Sequence, residues 1–176
     1  MPIVFINPGH SNIDPGAVSP NGVPEAAITA TVGKLVSKYL QDAGYTAPVL
    51  QNDSLLTVVT AANNWPADIF VSIHCNAAEN PAAQGSETFH IAGGAKSERL
   101  ARCIQMQIVT SLPITNRGVK TADFYVLRKT DMPAVLVELA FLSNDYDESL
   151  LTDPARQENF AMAIARGVTD YFAEVV

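Results

Sequence analysis

The sequence predicts an α/β fold: a single domain built on a twisted, mostly parallel β-sheet of about six strands, flanked by helices on both faces. Three observations carry that expectation. Short apolar runs alternate with longer segments of helical periodicity along all 176 residues. The connections between them are short, and no linker or internal repeat divides residues 1–176. Hydrophobic residues make up 48% and charged residues 16%, enough apolar surface for a full core of the chain's own.

The elements follow in order. Residues 3–6 form a short β-rich run. Pro24 opens a helix over 24–43, with Ile28, Val32, Leu35, Val36, Tyr39 and Leu40 on one face, and Gly44 ends it. Residues 46–50 are expected as a second strand, 55–65 as a weaker helix, and 68–74 (D-I-F-V-S-I-H) as a buried strand. A strand over 87–91 precedes a helix over 95–112, where Leu100, Cys103, Ile104, Ile108 and Leu112 recur at helical spacing. Two further strands are expected over 124–127 and 134–139. The last helix spans 154–172, its stripe formed by Phe160, Ile164, Val168, Tyr171 and Phe172.

The formal net charge of −7 argues against nucleic-acid binding through a general basic field. No apolar run reaches the length of about 20 residues that spans a bilayer, and no membrane partner is expected. The first residues lack the basic segment and cleavage site of a signal peptide, so no export route is visible. Cys75 and Cys103 are too few for a disulfide framework and are expected to pack as small hydrophobes.

Ligands of open α/β sheets collect beyond the carboxyl ends of the strands. His10 follows the first strand there, inside I-N-P-G-H-S-N-I-D-P-G-A. A loop histidine can simply satisfy a turn, but two Pro-Gly pairs around it favour a fixed geometry, which a ligand needs. His74 closes the third strand, as a core histidine or as a neutral imidazole ligand. Cys75 points to the opposite face. Glu25 opens the first helix, where the helix dipole alone could account for a carboxylate. Glu138 interrupts A-V-L-V-E-L-A-F-L, and a lone carboxylate among such neighbours calls for a metal or a catalytic water. His90 has no polar partner nearby in sequence and is read as structural.

Two histidines and a carboxylate suit a zinc site with an open fourth position, the catalytic kind. One zinc ion held by His10, Glu25 and His74 would lower the pKa of water to about 7, with Glu138 as general base.

Several blocks now carry a resemblance: P-G-H-S-N-I-D-P-G-A, G-V-P-E around Glu25, and A-D-I-F-V-S-I-H-C-N-A over 67–77. G-S-E-T-F, N-R-G-V-K, F-Y-V-L and P-A-V-L-V-E-L-A-F-L-S-N follow in order. The chain resembles the catalytic domain of zinc-dependent N-acetylmuramoyl-L-alanine amidases, the Amidase_3 branch, over essentially its whole length. The resemblance implies zinc on His10, Glu25 and His74, Glu138 as catalytic base, and hydrolysis of the amide between the lactyl group of N-acetylmuramic acid and L-alanine. It also implies peptidoglycan as partner, action at the bacterial cell wall as an endolysin or autolysin domain, and a monomer. Arg117 and Lys120 are candidates for stem-peptide carboxylates, with Asn76 and Glu87 bordering the groove. The alternatives are a zinc peptidase acting on stem cross-links and a non-catalytic peptidoglycan-binding module of the same fold. Two departures stand out. Asn7 replaces the usual aspartate of the first loop, so ligand polarisation is weaker or arises elsewhere. V-L-Q-N-D replaces a segment that usually carries Thr-Arg, which leaves substrate contacts there open.

Overall fold

A computed structural model describes residues 1–174. Five strands form one sheet: β1 (Val4–Pro8), β2 (Ile69–Asn76), β3 (Ser86–His90), β4 (Asn116–Thr121) and β5 (Ala134–Phe141). Their order is β1-β2-β5-β3-β4, and every neighbouring pair is parallel except β3 with β5. Six helices accompany them among the described residues: α1 (Glu25–Asp42), α2 (Leu55–Asn64), α3 (Ala95–Ser111), α4 (Tyr125–Lys129), α5 (Asp145–Thr152) and α6 (Pro154–Phe172).

Period-two alternation divides the strand side chains between two faces. Val4, Ile6, Val71, Ile73, Cys75, Val135, Val137 and Leu139 join the large core under α1, α3 and α6. Phe5, Phe70, Ala134, Leu136 and Phe89 belong to a smaller cluster under α2 and α4. Burying each large aliphatic or aromatic side chain contributes roughly 1.5–3 kcal/mol, so the first face supplies most of the cohesion. The second face is covered by two short helices, and the space they leave becomes the groove described below.

Local chemistry sets the helix ends. Ser54 caps α2 by accepting from Thr57 N at 3.2 Å. Asp153 caps α6 by accepting from Ala155 N at 2.9 Å, with Pro154 at the first helical position.

The structure corrects the expected six strands to five. Residues 46–50 make only isolated bridges, Ile3 with Thr46 and Ile6 with Val49. Pro48 between them lacks the N–H that would continue the ladder. Residues 124–127 are not a strand: they enter α4, where Arg128 N donates to Phe124 O at 3.0 Å. An apolar run of four residues has no period by which to tell strand from helix. Strand β4 carries no strand signal in the sequence because N-R-G-V-K-T is polar and lies at the sheet edge. Helix α5, eight residues long, is a further element beyond those the sequence predicts.

Candidate metal centre

Strand β1 delivers the chain to Gly9 and His10 at the carboxyl edge of the sheet. His10 adopts φ 60°, the left-handed region that non-glycine residues seldom occupy. The loop holds it there. Asp14 Oδ2 lies 3.2 Å from His10 Nδ1, and Asp14 Oδ1 accepts from Gly16 N at 3.0 Å. The Gly16 amide, then His10, keep the Asp14 carboxyl below its usual range. With Nδ1 engaged, Nε2 of His10 faces Glu25 Oε2 at 3.3 Å.

Glu25 is 3% exposed, although it opens a helix. Its Oε1 lies 2.9 Å from His74 Nδ1 and accepts from Cys75 N at 2.9 Å, and its Oε2 accepts from Ala17 N at 3.0 Å. Burial pushes this carboxyl up. The His74 hydrogen bond and charge, with the two backbone amides, outweigh burial, so the net direction is down and the group stays ionised. The two imidazole rings stand 5.3 Å apart, nearly perpendicular.

Both Pro-Gly pairs serve this approach. A β-carbon on Gly9 would fall 2.2 Å from His74 Cε1, and one on Gly16 would fall 2.5 Å from Glu25 Oε2. Gly16 also has φ +69°. One ligand atom each from His10, Glu25 and His74 lies within 4.8 Å of the others. Two imidazole nitrogens and a carboxylate oxygen, with no fourth donor grouped with them among the described residues, form a set that fits a zinc-type cation.

Asn7 plays a different part from the aspartate it replaces. It is buried, donates from Nδ2 to Leu50 O at 3.0 Å, and accepts from Ser72 Oγ at 2.9 Å. It joins β1 to its neighbours, and Asp14 supplies the negative charge behind His10. That partner lay in plain view in D-P-G. Only the loop's fold, however, brings it back onto His10.

Across the sheet the register aligns His74 with Glu138, and Glu138 with Glu87. These three adjacent residues share the face under α2 and α4. Glu138 Oε2 is buried and has no hydrogen-bond partner among the described residues. Burial, then the charges of Glu25 and Glu87, push this carboxyl up from 4.5 to about 8.

Glu87 is also buried but amply partnered. Asn76 Nδ2 donates to its Oε1 at 2.7 Å, Arg117 Nε reaches its Oε2 at 3.0 Å, and Lys120 Nζ bonds the same oxygen. Burial pushes the carboxyl up, but the hydrogen bonds and charges of Lys120 and Arg117 prevail and bring it down. Asn76, Arg117 and Lys120, each nominated from sequence for substrate, thus meet on one carboxylate. The sequence shows no sign of that convergence, because the polar β4 segment that presents Arg117 and Lys120 carries no strand signal of its own.

A groove of about 380 Å³ crosses this face, lined by His10, Asn52, Asp53, His74, Phe124 and Glu138 among others. The V-L-Q-N-D segment therefore does border the site through Asn52 and Asp53, and Asp53 accepts from Ser11 Oγ. Phe124 and Tyr125 form a wall missed in the sequence because 124–127 read as a strand. His90 stands apart, buried, with Nδ1 2.9 Å from Ile91 O. Cys75 turns into the large core, where burial, Glu25 and Glu138 push its thiol well up.

The family model described as N-acetylmuramoyl-L-alanine amidase, Amidase_3, matches residues 4–170. The chain belongs to this family. It is 39% identical to the N-acetylmuramoyl-L-alanine amidase LytC of Bacillus subtilis, over 96% of this chain and 35% of LytC. It thus spans about a third of that relative's length. Among solved structures, AmiC2 of Nostoc punctiforme, an N-acetylmuramoyl-L-alanine amidase, superposes with TM-score 0.92 at 34% identity, covering 98% of this chain and 97% of the other. The catalytic domain of the amidase CwlV from Bacillus (Paenibacillus) polymyxa also gives 0.92, at 31% identity, covering 98% and 99%. Among the described residues no helix is long and apolar enough to cross a membrane.

Proposed function

We propose that this chain is a zinc-dependent peptidoglycan hydrolase acting at the bacterial cell wall. In this reading it cleaves the amide between the lactyl group of N-acetylmuramic acid and the L-alanine that begins the stem peptide. The observation that carries the proposal is the pairing of two unlike features. A three-donor cluster lies on His10, Glu25 and His74, and one strand away stands the Glu138 carboxylate, whose Oε2 is buried without a hydrogen-bond partner among the described residues. Family membership supplies the bond.

His10, Glu25 and His74 would hold the ion, and zinc, when bound, supplies the Lewis acidity that acidifies water and polarises a carbonyl. The chain's own residues do the rest. Asp14 fixes the orientation of His10, and Glu25 draws the two imidazoles together. Glu138 takes the proton from the attacking water and returns it to the departing alanine nitrogen. A cation at the cluster would offset the Glu25 charge that helps hold Glu138 neutral, favouring its basic form. Arg117 and Lys120 present cationic heads toward the stem, while Asn76 is committed to Glu87 and positions it.

The test is mass analysis of a defined muropeptide after incubation with wild type and with Glu138→Ala. Free stem peptide beginning at L-alanine is expected from the wild type, with a rate at least a hundredfold lower in the variant. Chelation should stop the reaction and zinc restore it. Cleavage inside the stem would replace the amidase reading with a peptidase one. Intact muropeptide bound by both proteins would point to a binding module.

A further inference from the structure

One strand beyond the groove, past its lining residue Glu138, the β3–β4 edge holds more positive charge than its own carboxylate uses. Arg117 and Lys120 converge on a single oxygen of Glu87, and among the described residues neither pairs with a second carboxylate. Two cations and one anion leave a surplus of one positive charge, in a chain of formal net charge −7. Both heads remain wet: the Arg117 and Lys120 side chains are 33% and 41% exposed. They are nevertheless fixed. Glu87 ties them from beneath, and the Arg117 guanidinium lies over the Phe141 ring, 4.8 Å from its centre. Cations held in place by a buried partner lose little freedom when an anion arrives.

Their position indicates which anion. Asp14, Asn52 and Asp53 line the groove where the His10 loop enters it, and Glu138 lies between that end and the cations. Hydroxyl-rich sugar suits the carboxylate and amide acceptors, and the one carboxyl of N-acetylmuramic acid is consumed in the scissile amide. Free carboxylates belong to the stem. The stem therefore crosses Glu87, with its alanine nitrogen at Glu138. One strand spacing of about 4.8 Å, plus the 3.0 Å ion pair, sets the cations roughly 8 Å beyond Glu138. One extended residue covers about 3.5 Å, so a carboxylate on the residue after alanine falls within that reach.

We propose that Arg117 and Lys120, clamped by Glu87, bind the free α-carboxylate of the stem residue that follows L-alanine, and so select stems in which this carboxylate is not amidated. The inference rests on the amidase reading above. An amide at that position would present a neutral group, with an NH₂ that can only donate, to heads that also only donate.

Two synthetic stem peptides, identical except for a free or amidated carboxylate on the second residue, test this by calorimetric binding to the zinc-loaded protein. The matching pair of muropeptides is assayed for hydrolysis. The free acid is expected to bind at least about tenfold tighter. Lys120→Met should bring the two peptides to near parity, and Lys120→Arg should keep the preference. Equal binding of acid and amide by the wild type, a comparison that needs no variant, would overturn the subsite whether or not the muropeptides are cleaved. Binding that discriminates, without hydrolysis of either muropeptide, would sustain the subsite and overturn the amidase reading instead.

Discussion

At the scale of single residues, Glu138 pays for its place with a carboxyl raised to about 8. In the metal-free protein the unfolded chain loses this proton near 4.5, while the folded chain keeps it to about 8. The folded state therefore binds more protons between those values, and stability falls as pH rises through the window. Glu138→Gln removes the penalty. The metal-free variant is expected to match the wild type below pH 4.5 and to exceed it at pH 8 by roughly 3–5 kcal/mol; denaturant melts at the two pH values check this, and equal gaps would refute it. Asp14 yields a second expectation. Asp14→Ala should weaken zinc binding by about 10–100-fold, since it frees the His10 ring to turn, measurable by competition with a chelating dye. Three residues of the centre were legible in the sequence because each is out of place locally: a histidine caught between turns, a histidine ending an apolar strand, a carboxylate in an apolar run; Glu25 has an ordinary explanation at a helix start and entered only through the donor count and the family resemblance. Asp14 was not, and Glu87 only as a residue bordering the groove, since an aspartate in a turn and a glutamate on a strand have ordinary explanations until the fold shows what they face.

Among the elements, α5 has an importance out of proportion to its eight residues. Asp147 is buried, and its Oδ2 accepts from Gly85 N at 2.7 Å and from Phe141 N at 2.9 Å. One side chain thus fastens the entry to β3, which carries Glu87, to the exit of β5, which carries Glu138. Asp147→Ala would leave two buried amides without acceptors, at about 1–3 kcal/mol each. A fall in Tm of roughly 5–15 °C is expected, read by calorimetry; an unchanged Tm would show that water replaces the carboxylate at no cost. Long elements with strong periods, α1, α3, α6, β2 and β5, were read from the sequence within a residue or two. The shorter β1, β3 and α2 were read nearly as closely, but α4, α5 and β4 were not, because they take their form from contacts: α4 from the groove wall, α5 from its Asn144 cap and Asp147, and β4 from pairing with β3 alone.

For the whole molecule, the division of the sheet into a heavily covered face and a lightly covered one lets cohesion and chemistry occupy opposite sides. Zinc should act on global stability, because its donors come from two loop-and-strand positions and the first turn of α1, brought together only by folding. At a free zinc concentration one hundred times its Kd, linkage adds about 2.7 kcal/mol. Tm should then rise by roughly 5–10 °C, and His10→Ala should abolish the rise. The order β1-β2-β5-β3-β4 has a further consequence for how the molecule comes into being. A growing polypeptide that has yet to reach residue 134 holds two strand pairs, β1–β2 and β3–β4, and nothing to bridge them. The last strand to emerge is the keystone: it wedges between β2 and β3, and it brings Glu138 with it. His10, Glu25 and His74 have all emerged by residue 74, but Glu138, the proposed base, arrives only with the piece that makes the sheet whole. An unfinished chain on the ribosome therefore lacks the one carboxylate that the proposed chemistry needs as its base.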